Sequence, residues 1–340
     1  MVVPVSSIQV LSHGVQPAIL PAFTFCAVAC QLMIVSLLLA LLPIALLIVL
    51  GSWLRQRSFL AAAFWPQAER LGYYILLPAL FLHGLATARL DGVPVAAMIL
   101  TLVCSTLAVS VGVIAVRRLL PVDDAAFTSV FQGGVRFNNY VGVSAAAGLF
   151  GAHGVALAAV ANAAIVPTVN ILCVLVFARY GNAGTPSFKN IVRLLALNPL
   201  VVACAIGITL QITGLGLPPG IEPVMKSLGQ ASLPLGLLCV GAALDFSAAR
   251  SWLRPVVMAS CAKFVAMPLV TIAACHLFGL SGSAAIAALL FQALPTASSS
   301  YIMARQLGGD APLMAGIIAV QTLVAGVALP LAVLGLSGLL

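Results

Sequence analysis

FQGGVRFNNYVGVSAAAGLFG (residues 131–151) and FQALPTASSSYIMARQLGG (residues 291–309) both open with Phe-Gln, and each turns polar partway along an apolar segment. Gly133 and Gly134 loosen the first stretch. Pro295 breaks the second, because proline removes a backbone donor and clashes with the preceding turn. Asn138 and Asn139 fall at nearly the same place in one stretch as Ser298 and Ser299 in the other. What such polar pairs mean depends on the solvent around them.

That solvent is lipid. Hydrophobic residues make up 63% of the 340-residue chain and charged residues only 6%, against about a quarter in a soluble domain. So few charges cannot build a water-facing surface. Each crossing needs about 20 apolar residues. With charges, Gly and Pro as punctuation, ten spans emerge: 34–53, 71–88, 95–116, 127–149, 153–178, 191–212, 221–244, 255–277, 283–304 and 311–336. They lack the alternation of barrel strands, so they are read as helices.

The loop charges support this division. Arg55, Arg57, Arg70, Arg117, Arg118, Arg179, Lys189, Arg193, Arg250 and Arg254 fall after odd-numbered spans, while only Arg89 and Lys226 fall after even ones. Cytoplasmic loops collect Lys and Arg, so odd loops are placed in the cytoplasm, both termini on the other side, and the chain in the inner (plasma) membrane. The net charge of +8 is scattered singly, without runs or interleaved aromatics, which argues against a nucleic-acid partner. The eight cysteines form no CxxC pair and read as apolar filler, so no metal or cofactor is expected. The N-terminus lacks a basic n-region, so no cleaved signal peptide is expected.

The two stretches belong to a longer repeat. LLALLP at 38–43 matches LLALNP at 194–199, and at the same shift Gly51 meets Gly207 and Leu77-Pro78 meets Leu233-Pro234. Each half holds five spans. An odd number turns the second half upside down, and inverted repeats mark secondary transporters, with the site between halves at interrupted helices. The expected organisation is an extension over 1–34 with no assigned role, a first five-helix repeat over 35–178, a cytoplasmic linker over 179–190, and an inverted second repeat over 191–340.

Adjacent asparagines at this depth are costly unless satisfied. They serve either as hydrogen-bonding glue between helices or as a substrate site, and their match to Ser298 and Ser299 favours the site. Arg136 and Lys263 lie inside spans, where a cation is a functional candidate. Arg136 is either a site cation or snorkels outward. Lys263 either neutralises an anionic substrate or replaces a coupling cation, or else pairs structurally with a carbonyl or Ser260. Arg305 is read as snorkelling, and His83 and His276 as interfacial. No Asp or Glu falls in the interior of a predicted span, which favours anion over cation transport.

PIALLIVLGSWLRQRSF (43–59), LLPALFLHGLA (76–86), FNNYVG (137–142), LNPL (197–200), LPLGLLCVGAAL (233–244) and above all LPTASSSYIMARQLGGDAPLMAGIIAVQTLVAGVALPL (294–331) resemble the auxin efflux carrier family in its bacterial branch. The resemblance covers residues 36–337. It implies an all-α fold of ten transmembrane helices in two inverted halves, with helices 4 and 9 crossing at the substrate site. It implies a small carboxylate substrate such as malonate or malate, and often a homodimer. By position the site would comprise Asn138, Asn139, Gly142, Pro295, Thr296, Ser298 and Ser299. The chain departs from the family pattern at Val143-Ser144, where a proline is usual, and at Ser299, where asparagine is common.

The leading expectation is therefore an organic-anion permease driven by protons, sodium or the substrate gradient. The alternatives are a sodium-coupled symporter of a bulkier anion on a related fold, and a non-transporting membrane sensor. HExxH, GxSxG, paired intramembrane aspartates and the P-loop are all missing from the sequence, which argues against an enzyme or an ATP-driven pump.

Overall fold

The computed structural model describes residues 42–87, 93–181, 199–244 and 253–336. The expected extension at 1–34, nearly all of the 179–190 linker and the start of the sixth span lie outside the described residues. Among the described residues the fold is entirely helical.

Helix α1 is Leu42–Gln56. Helix α2 (Phe64–Leu71) passes through a π-helical turn, Gly72–Leu76, into α3 (Leu77–Ala86). Next come α4 (Val95–Ala115), α5 (Asp124–Val135), the long α6 (Asn139–Tyr180), α7 (Pro199–Thr213) and α8 (Glu222–Ala242). Helix α9 (Leu253–Cys261) runs through a second π-turn, Ala262–Ala266, into α10 (Met267–Phe278). Helices α11 (Gly282–Gln292), α12 (Ser299–Leu307) and α13 (Ala311–Leu336) complete the fold. Five of these stretches are long and apolar enough to cross a bilayer.

The expected spans are recognisable among the described residues, with one difference. The second begins at Phe64 rather than 71: charges at Glu69 and Arg70 looked like a loop, but Trp65 and Ala68 beneath them are buried. As expected, the fourth and ninth spans are each interrupted, into α5 with the start of α6, and α11 with α12. The fourth and fifth spans meet at a sharp kink within Asn139–Tyr180, where Gly151 leaves the helical conformation with a φ of 59° and a ψ of −137° that glycine tolerates.

Two groups of helices pack together. Helix α3 lies on α7 and α8, and α2 on α8; α4, α5, α6, α9, α10, α11 and α13 pack among themselves, and α6 joins the groups by touching α3, α7 and α8. Leu323, Val327 and Leu331 expose one face of α13, while Ile317, Gln321, Ala325 and Leu329 are buried on another. Spacing of three and four residues separates a lipid face from a packed face. Burial of Phe127, Phe131, Phe137 and Phe291 around the two breaks gives them solid walls.

Candidate substrate site at the helix crossing

The first break follows α5 directly. Asp123 caps the start of α5, its carboxylate accepting from Ala126 N at 2.7 Å. Gly133 and Gly134 remain helical, and the chain extends only at Arg136 (φ −74°, ψ 155°). Asn138 then starts α6, its Oδ1 accepting from Tyr140 N at 3.1 Å and Val141 N at 3.2 Å. This is an N-cap, which satisfies donors that no helical carbonyl can reach. The second break runs from Ala293 to Ser298, and Ser298 is the N-cap position of α12. The paired polar residues of the two stretches therefore both begin the second half-helix.

The breaks touch. Asn138 N donates to the carbonyl of Pro295 at 2.8 Å. Gly142, in the first turn of α6, packs against Phe291 and Leu294 so closely that a Cβ would collide with both side chains. Of the expected site residues, Asn138, Gly142, Pro295 and Thr296 meet here directly. Asn139, Ser298 and Ser299 sit on the adjoining first turns of α6 and α12.

Gln321 of α13 ties the two breaks together. Its Oε1 accepts from Thr296 N at 3.0 Å, and its Nε2 donates to the carbonyl of Gly133 at 3.0 Å. The Thr296 hydroxyl lies 2.7 Å from Gln321 Oε1 and 3.0 Å from that carbonyl. Gln292, by contrast, anchors the end of α11 to α4, donating to Ser105 Oγ at 2.8 Å and Thr106 Oγ1 at 2.9 Å. Neither glutamine stood out in the sequence as a clamp. Gln321 follows an apolar run with no motif around it.

Arg136 spans the crossing instead of snorkelling. Its guanidinium donates to Asn170 Oδ1 at 3.2 Å and reaches Met303 Sδ at 3.2 Å and Ser299 Oγ at 3.5 Å. Lys263 lies in the second π-turn with no exposed surface, and its Nζ has no hydrogen-bond partner. The alternative of a structural pair with a carbonyl or Ser260 is not formed, and the Ser260 hydroxyl donates to Val256 O. Cys173 lies within electrostatic reach of both cations. Asn138 Nδ2, Asn139 Oδ1 and Ser300 Oγ are likewise buried and unpartnered. Buried polar atoms without partners call for a reason, and three of these belong to residues at or within two positions of the breaks.

One expectation is corrected. Because the second span begins earlier than predicted, a carboxylate does lie among the helices: Glu69 Oε1 accepts from Ser298 Oγ at 2.6 Å. Arg305 is exposed, as expected, with its guanidinium 6.0 Å from the Tyr301 ring centre.

Two cavities lie at opposite ends of α8. One of about 570 Å³ is lined by His83 and Thr87 of α3, His153 of α6, and Lys226 and Gln230 of α8. The other, of about 780 Å³, lies between α1 and α13, runs past Leu244, and has Val141 and Pro295 of the crossing in its wall.

Residues 36–333 match the model of a family described as membrane transport protein, that of the auxin efflux carriers. The chain belongs to this family. It is thus an integral membrane transporter of several spans. No curated protein matches the transporter.

Proposed function

We propose that the transporter is a secondary carrier of a small organic anion, a mono- or dicarboxylate, which binds where the two broken helices cross. The observation that carries this reading is the convergence there of the N-terminal ends of α6 and α12 with Arg136 and, alongside, the unpartnered Lys263. Half-helix N-termini attract negative charge, and a buried unpaired cation gains most from an anion. Asn138, Asn139, Gly142, Pro295, Thr296, Ser298 and Ser299 form the substrate site, with Arg136 and Lys263 supplying charge.

The two halves are inverted repeats over 35–178 and 191–340, joined by the 179–190 linker. The positions of Asn138 and Ser298, each just before the second half-helix of its break, support this pairing. Access to the crossing alternates between the two sides of the membrane, in a homodimer of the inner membrane with both termini on the non-cytoplasmic side. The transported anions are those of the malonate and malate permeases, and movement is driven by a proton, sodium or substrate gradient.

Uptake by purified protein in liposomes tests this, using labelled malonate, malate, benzoate and indole-3-acetate with and without pH and sodium gradients. Saturable uptake of one anion, lost in Asn139→Ala, is expected. Absence of uptake of every anion by folded protein would leave only the family's fold and refute the carboxylate assignment.

A further inference from the structure

The transporter already holds one carboxylate at the proposed site. Glu69 comes from α2, in the helix group of α3, α7 and α8, while Ser298 begins α12 on the far side of the crossing. Their 2.6 Å contact is of the length a hydroxyl makes to a charged acceptor. Ser298 is 7% exposed. Its hydroxyl is spent on Glu69 and caps no backbone group of α12, which has no side-chain cap. The first N–H groups of a helix leave a partial positive charge, so Glu69 places a carboxylate where an anion is favoured.

Nothing else neutralises that carboxylate. Among the described residues the ion pairs are His83–Glu222 and Arg117–Asp124, and no Lys or Arg pairs with Glu69. The Tyr140 hydroxyl, buried and unpartnered, lies within its electrostatic reach. Arg136 approaches the same end of α12 from the other side, at Ser299. A substrate carboxylate drawn to Arg136 and the start of α12 therefore meets a second negative charge on the same helix end. Two carboxylates there repel unless one leaves.

We propose that Glu69 is a resident stand-in for substrate: it holds the N-terminal end of α12 through Ser298 in the empty transporter and yields that end to the incoming anion. The inference rests on the placing of a carboxylate substrate at the crossing. It adds a specificity element, because an anion must outcompete an internal carboxylate, and displacement releases a tie between the two helix groups at the moment of binding.

The test is the affinity of the purified full chain for malonate, malate, benzoate and indole-3-acetate, measured by calorimetry in wild type, Glu69→Gln and Ser298→Ala. Glu69→Gln keeps a hydrogen-bonding side chain but removes the competing charge. It should tighten binding of the anion preferred by wild type at least about fivefold, the low end of ordinary coupling between ligands. Ser298→Ala, which removes the shared donor, should weaken wild-type binding. Binding by wild type that Glu69→Gln leaves unchanged or weakens, in protein with unchanged melting temperature, would overturn the role of Glu69 while the carboxylate site stands. If no variant binds any of the four anions, both fall together.

Discussion

Replacing Gln321 by leucine removes the clamp between the two breaks at nearly constant volume, and the cost follows from its hydrogen bonds. Gln321 has no exposed surface. Its loss leaves Thr296 N without the acceptor now at 3.0 Å. The Gly133 carbonyl keeps a partner, because the Thr296 hydroxyl at 3.0 Å can turn to it. One orphaned buried donor costs about 1–3 kcal/mol. At roughly 2 °C per kcal/mol for a chain of this size, melting should fall by about 2–6 °C. Thermal unfolding in lipid nanodiscs measures this, with Thr322→Val as the control. Thr322 is the next residue on α13, but its hydroxyl donates only to Ile318 O in its own helix, so its loss should stay within about 0.5 kcal/mol. If Gln321→Leu melts with wild type, or Thr322→Val costs as much, the clamp reasoning fails.

Other perturbations separate structure from transport. Asn138→Ala removes the cap of α6 and should cost about 1 kcal/mol, whereas Asn138→Asp keeps the acceptor and the stability but adds a negative charge that should abolish anion uptake. Lys263→Met replaces a buried, unpartnered ammonium and should leave melting unchanged or raised, since an uncompensated buried charge is costly, yet uptake should be lost; a strong drop in melting would assign Lys263 a structural role. Arg136→Lys keeps the charge but cannot reach Asn170, Met303 and Ser299 together as the planar guanidinium does, so the KM for uptake should rise with melting little changed.

Most of the fold was legible because lipid imposes a simple rule: long apolar helices separated by charge. The rule misplaces an element where a charged residue rides on a buried stripe, as Glu69 and Arg70 do above Trp65 and Ala68. It does find the kink at Gly151, between the fourth and fifth spans, where the backbone takes a φ of 59° that suits glycine. At the site, Asn138, Asn139, Ser298 and Ser299 could be read because they are polar in an apolar segment and recur in both halves. Gly133 and Gly134 pointed to the break but sit just before it, in the last turn of α5, where Gly133 fits against Ile317 and Ala259 and Gly134 against Ala262. Gln321 and Glu69 could not be read, since their roles depend on partners 25 and 229 residues away. Long-range pairing of single polar residues leaves no local pattern.

The most direct test of an anion site at the crossing is thiol protection at Ser299→Cys, in a background whose native cysteines are alanine. Ser299 stands beside Arg136 at the first turn of α12. The anion that the transporter carries should slow modification there in a saturable way, and its uncharged amide analogue should not. Uptake of that anion with no protection at Ser299→Cys would place the substrate elsewhere and contradict the account.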